Sequence, residues 1–150
     1  MSKLKYDWWS FALAMIRGYP ERSLKLKRIH QQKTTADITG MPRSGGTSRT
    51  TEGVALRQLP LAEQRKYEAV HTAIRRTGYL KESKLRMGVV RMTLWGSYKL
   101  GGAALVLNIS ESTAQLYRWD FVMMTAVAHE LITEEEYQEA RKKRVGKTKV

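Results

Sequence analysis

Leu100-Gly101-Gly102-Ala103-Ala104-Leu105-Val106-Leu107-Asn108-Ile109-Ser110-Glu111-Ser112-Thr113-Ala114-Gln115-Leu116-Tyr117-Arg118 is the stretch whose reading decides the fold. Its first eight residues read as a short helix with small residues on its contact face. Asn108-Ile109-Ser110 reads as a tight turn, and a longer helix is expected from Glu111 through at least Leu131. Ser110 suits the N-cap, because its hydroxyl can accept a backbone amide hydrogen of the first turn. Ala114, Tyr117, Phe121 and Ala128, with Thr125 on the same strip, would face the preceding helix. Ala103 and Ala104 permit a close approach, and Ile109 plugs the corner. A short helix, a tight turn and a capped longer helix make the layout of a helix-turn-helix, which points the first turns of its second helix into a major groove.

The side chains that would meet base edges are Glu111, Ser112, Gln115 and Arg118, since Ala114 and Tyr117 turn inward. Gln115 can pair bidentately with adenine, Arg118 with guanine or a phosphate, and Glu111 can accept from cytosine. Ser112 and Thr113 are short, and Thr113 is expected to reach phosphate. Lys99 stands before the first helix of the motif, where backbone phosphates lie; Lys84 is a second phosphate candidate, and Lys81, Arg86 and Arg91 are weaker ones. Leu116, Trp119 and Met123 form an apolar stripe on the other side of the long helix, too large to be freely solvated. Packing against another part of the chain accounts for it best, with a homodimer or polymerase contact as the sharper alternative.

Outward from the motif the pattern stays helical. Leu61 to Thr77 places Tyr67, Val70 and Ile74 on one face, with Arg75, Arg76 and Gly78 suited to its end. Ser83 to Trp95 would bury Leu85, Val89 and Met92. At the amino end, Trp8, Phe11 and Met15 recur at helical spacing within Leu4–Arg17, and Pro20 can open a short second helix with Leu24 and Ile29 inward. Between residues 34 and 53 the polar run containing Ser44-Gly45-Gly46-Thr47-Ser48 reads as a flexible linker, with Thr50 or Thr51 able to cap a short helix through Leu59. Thr133 precedes Glu134, Glu135 and Glu136 as a cap, and the basic tail Arg141, Lys142, Lys143, Arg144 would lie along phosphates. The expected organisation is therefore all-α: a helical arm at 1–33, a linker at 34–53, a helix-turn-helix domain at 54–132, and a last helix with a basic tail at 133–150.

Composition narrows the function. The 150 residues carry 27 Lys+Arg against 14 Asp+Glu, a net charge of +13, which points to a polyanion. Without cysteine there is no thiolate zinc site or cysteine nucleophile, and 3 histidines offer little to a metal. Gly45-Gly46 lacks the Lys-Ser/Thr of a phosphate-cradling loop. No enzyme, no cofactor and no metal are expected. Trp8–Ile16 is too short to span a bilayer and no cleavage site follows it, so a cytoplasmic protein that does not enter the membrane is expected.

An ordered series of motifs carries a family resemblance. Trp8-Trp9 and Met15-Ile16-Arg17-Gly18-Tyr19-Pro20-Glu21-Arg22 resemble the opening of the RinA/ArpU-like phage late-gene transcriptional regulators of Gram-positive bacteria. So do Thr51-Glu52, Ala55-Leu56, Tyr67-Glu68-Ala69-Val70, Ala73-Ile74 and Thr77. Trp95, Leu100, Gly102-Ala103-Ala104, Leu107, Ile109-Ser110, Thr113-Ala114, Trp119, Phe121 and Val127-Ala128 continue it in order, so that the likeness runs from Tyr6 to Leu131. Arg49-Thr50 departs from it, where an acid and a proline are expected. The resemblance implies an all-helical protein with a helix-turn-helix similar to the DNA-reading region of sigma factors. It implies binding to promoter double-stranded DNA, activation of late operons, and contact with the host RNA polymerase. The readings it leaves beside it are a small terminase subunit, an RNA-bound or polymerase-bound antiterminator, and a basic amphipathic protein lying on a membrane surface through Trp8, Trp9 and Phe11.

Overall fold

Seven helices follow one another in the computed structural model, which describes residues 6–39 and 59–148: α1 Trp9–Arg17, α2 Tyr19–Thr39, α3 Leu61–Gly78, α4 Ser83–Thr93, α5 Leu100–Leu107, α6 Glu111–Ala128 and α7 Glu134–Thr148. No strand occurs among the described residues, and the fold is all-α. The long helix α6 is the axis on which the others assemble, because α1, α3, α4, α5 and α7 all pack against it. Its sequence explains this role: from Asp120 to Ala126 every residue is buried, so this stretch is covered all round by other helices.

The main core joins Ala12, Met15 and Ile16 of α1, Ala69, Val70 and Ala73 of α3, Val90 and Leu94, Phe121 to Met124 of α6, and Tyr137 of α7. A smaller cluster beside it holds α4, α5 and the first turns of α6 together through Val89, Ala104, Ala114 and Tyr117, with Leu85, Leu100, Leu107 and Ile109 at its edge. Small residues set the spacing there. The side chain of Leu107 comes within 3.1 Å of the place a Cβ on Gly88 would occupy.

Several boundaries differ from those the sequence suggests. The first helix begins at Trp9, and Leu4 lies outside the described residues. Its buried stripe is Ala12, Met15 and Ile16, while Phe11 is 41% exposed and meets the edge of His129. The segment 1–33 is therefore no separate arm, since α1 helps build the core that α6 runs through. The second helix is long rather than short, and it continues through 34–39, which the composition assigns to a linker. Leu24 points outward at 54% exposed, and Ile29 is partly buried. The rest of the expected linker and the helix capped by Thr50 or Thr51 lie outside the described residues, apart from the buried Leu59.

At the far end, α6 stops at Ala128 instead of reaching Leu131. Glu130 takes a left-handed φ of 65°, and the Leu131 amide donates back to the Ala126 carbonyl at 2.9 Å, a closure that ends a helix. Residues 141 to 148 continue α7 as helix, so the basic tail is an extension of an ordered element.

Candidate nucleic-acid interface

The turn between α5 and α6 is built from its own residues. Asn108 stands at φ 57°, in the left-handed region that asparagine tolerates better than most residues. Ile109 then donates its amide to the Ala104 carbonyl at 3.0 Å, and Asn108 donates to Leu105 at 3.2 Å. This pair of bonds satisfies two carbonyls that the end of α5 would otherwise leave open. Ile109 packs on the same small cluster as Ala104 and Leu107, so it does fill the corner. Ser110 is extended and accepts the Thr113 amide hydrogen on its hydroxyl at 3.1 Å. The Thr113 hydroxyl lies 2.7 Å from the same oxygen, which ties the first turn of α6 to its cap.

With about 100° between successive residues, Arg118, Glu111, Gln115 and Ser112 fall within about 120° of one side of α6. Glu111, Ser112 and Gln115 are exposed, and Arg118 is half-buried. The opposite side carries the buried Ala114, Tyr117 and Phe121 against α4 and α5. The four candidate base-reading residues thus share one continuous face at the amino end of a firmly seated helix. The Glu111 carboxylate lies beside the amino end of α5, 3.7 Å from where a Gly101 Cβ would stand, and the α5 dipole favours a negative charge there.

Arg118 is half-buried on α6, the helix against which α1 packs. Burial, and then the guanidinium of Arg17, push its pKa below the usual arginine value. Arg17 is an exposed residue in the last turn of α1, and its spacing in the sequence ties it only to the end of a helix. What brings it here is tertiary packing. Pro20 has no N–H to offer the Ile16 carbonyl four residues back, and the Trp95 indole N–H donates to that carbonyl at 2.6 Å. Trp95 stands edge-on to Phe121, one turn after Arg118, with ring centroids 6.1 Å apart.

The candidate phosphate contacts separate into two groups. Lys84 in the first turn of α4, Lys99 at the start of α5, and Lys142 and Lys143 on α7 are all exposed. Thr113 is engaged in the cap of α6. Arg141 points inward, with its Nε 3.7 Å from the buried carboxylate of Asp120, and Arg144 lies over the Trp119 ring at 4.9 Å. Arg86 is no surface cation: it is buried, donates to Asp120 at 3.0 Å and to the Lys81 carbonyl at 3.0 Å, and stacks on Tyr117.

Two of the three residues of the apolar stripe of α6 pack within the chain. Met123 is fully buried in the main core, and Trp119 packs against Tyr137 of α7 with ring centroids 6.2 Å apart. Leu116 and Trp119 are both partly buried. Trp119 and Tyr137 thus join α6 to α7, while Met123 belongs to the main core.

Among the described residues, no group of three or more His, Cys, Asp or Glu is placed to hold a metal, and no helix is long and apolar enough to cross a membrane. Comparisons with protein-family models, curated proteins and solved structures found no match to this chain.

Proposed function

We propose that this chain binds duplex DNA sequence-specifically, with the exposed face of α6 set into a major groove, and that it activates transcription of a phage or prophage late operon in the cytoplasm of a bacterial host. The observation that carries the DNA reading is the single face formed by Glu111, Ser112, Gln115 and Arg118 at the amino end of a capped helix. A chain of net charge +13 supplies the electrostatic attraction such a face needs. The ordered resemblance to RinA/ArpU-like regulators supports the narrower assignment to late promoters and to a contact with RNA polymerase. In this reading Gln115 selects adenine, phosphate contacts from Lys84, Lys99, Lys142 and Lys143 supply much of the affinity, and no chemical reaction is performed.

A gel shift with the upstream region of the protein's own late operon, competed by random duplex, tests the reading. Preferential binding of the operon fragment is expected, and Gln115→Ala should relax that preference by about 1–3 kcal/mol while leaving thermal stability unchanged. Equal affinity for both duplexes would sink the promoter assignment. Preference for a packaging-site fragment would indicate a terminase subunit, and preference for the operon's transcript would indicate an antiterminator.

A further inference from the structure

The basic half of α7 comes to rest on α6 beside the proposed reading face. Three α7 residues at helical spacing make the crossing. The Tyr137 hydroxyl donates to Asp120 at 3.1 Å, and the Arg141 Nε stands 3.7 Å from the same carboxylate. One turn further on, the Arg144 guanidinium lies over the Trp119 ring at 4.9 Å. Trp119 is itself braced by Tyr137, with ring centroids 6.2 Å apart. The helix thus steps from the buried Asp120 onto the partly buried Trp119.

With about 100° between successive residues, Trp119 falls one turn after Gln115 and about 40° from it, whereas Asp120 falls about 140° away. Arg144 is therefore held over the continuation of the face on which Gln115 lies. A helix seated in a major groove by its first turns leaves the groove at that level, and the duplex groups nearest there are backbone phosphodiesters. Stacking on an indole occupies the face of a guanidinium, while its N–H donors lie along the edge, in the plane that matches phosphate oxygens. The ring also limits the rotamer freedom that a long side chain would otherwise lose on binding.

We infer that Arg144 contacts a backbone phosphodiester of the duplex, and that Trp119 is the residue that positions it. The inference rests on the DNA-binding reading and adds a second element to it: α7 meets the wall of the groove that α6 enters. The indole of Trp119 is then a support for a cation as well as a packing surface for Tyr137.

Binding of the full chain to its operon fragment and to random duplex, measured across a salt series, tests the pair. Arg144→Gln should weaken both duplexes by the same factor, about tenfold, in a chain that still melts cooperatively. It should also lower the slope of log affinity against log salt by about one. Trp119→Leu should reproduce the loss of affinity, and Trp119→Phe should bind nearly as the native chain does, because a ring remains. Trp119→Leu combined with Arg144→Gln should be no weaker than either alone. Lys25→Gln removes an exposed cation from α2, a helix that packs on α1 and α3, and should leave the slope near native. If Arg144→Gln costs no more than Lys25→Gln, or changes the ratio between the two duplexes, the phosphate contact is overturned. Native binding by Trp119→Leu would overturn the positioning role. A native chain that binds neither duplex would sink the DNA reading itself, before any variant is compared.

Discussion

Asp120 is fully buried, yet its carboxylate is surrounded by donors from other helices. Arg86 of α4 donates to one oxygen at 3.0 Å, the Tyr137 hydroxyl of α7 donates to the other at 3.1 Å, and Arg141 approaches at 3.7 Å. Burial, and then the carboxylate's charge, push the Tyr137 pKa well above the ordinary tyrosine value, so its hydroxyl remains a donor. Arg86 also covers the Tyr117 ring, whose hydroxyl donates to Glu82. One carboxylate therefore ties α4, α6 and α7 together. Asp120→Asn leaves Arg86 as a buried cation without its counter-charge, and should cost about 3–5 kcal/mol. The check is a urea titration in which the midpoint falls while the slope is unchanged. None of this was legible from sequence, where Arg86 looks like any other basic residue on a helix. Its direction depends on α4 crossing α6 so that residues 86 and 120, far apart in the chain, face each other.

The helix ends were easier to foresee than the helix lengths. Ser110 and Thr133 each accept an amide hydrogen from the residue three positions on, as side chains of that kind do at a first turn. Lengths failed where local composition was the guide: Thr34-Thr35 and the residues to Thr39 are polar and poor in apolar anchors, but the backbone of α2 carries through them. Both α5 and α6 end through a left-handed residue. Asn108 adopts that conformation at modest cost, whereas Glu130 at φ 65° bears the steric conflict between its Cβ and the carbonyl oxygen. Its side chain returns little, because the pair with Arg65 at 3.6 Å is exposed. Glu130→Gly should therefore stabilise the protein by about 1 kcal/mol, measured as a higher melting temperature. Gly96 presents the reverse case. A Cβ there would stand 2.8 Å from the Met92 carbonyl oxygen and 3.0 Å from that of Arg91, so Gly96→Ala should destabilise the end of α4.

Across the whole molecule, the all-helical class and the candidate reading face were both visible in apolar periodicity and one cap, but the place of α1 was not. Periodicity shows that a helix has an apolar side, and it does not show which partner covers it. Here α1 lies against α3 and α6, and its neighbourhood supplies a pH response. His129 follows α6 and meets Phe11 edge-on at 5.5 Å, and burial, then the charge of Arg65, lower its pKa below the ordinary 6.5. The unfolded chain therefore takes up this proton more readily than the folded one. Stability is full above pH 6.5 and declines as pH falls below it towards the lower folded pKa. His129→Gln should flatten that decline in melts between pH 7.5 and about pH 5.5. Glu63 and Glu134, whose pKa values are lowered chiefly by Arg22 and Arg76, add losses only in a more acidic window, below the ordinary 4.5. The burial of Met15 and Ile16 bears on how the protein can be dissected. A fragment beginning at residue 59 keeps α5 and α6 whole, but bares Phe121 and Val122, strips the Trp95 indole of its acceptor and removes Arg17. Loss of the proposed DNA binding in such a deletion would record a collapsed scaffold, and would wrongly credit the missing segment with base recognition; single substitutions on the surface of α6 avoid that error.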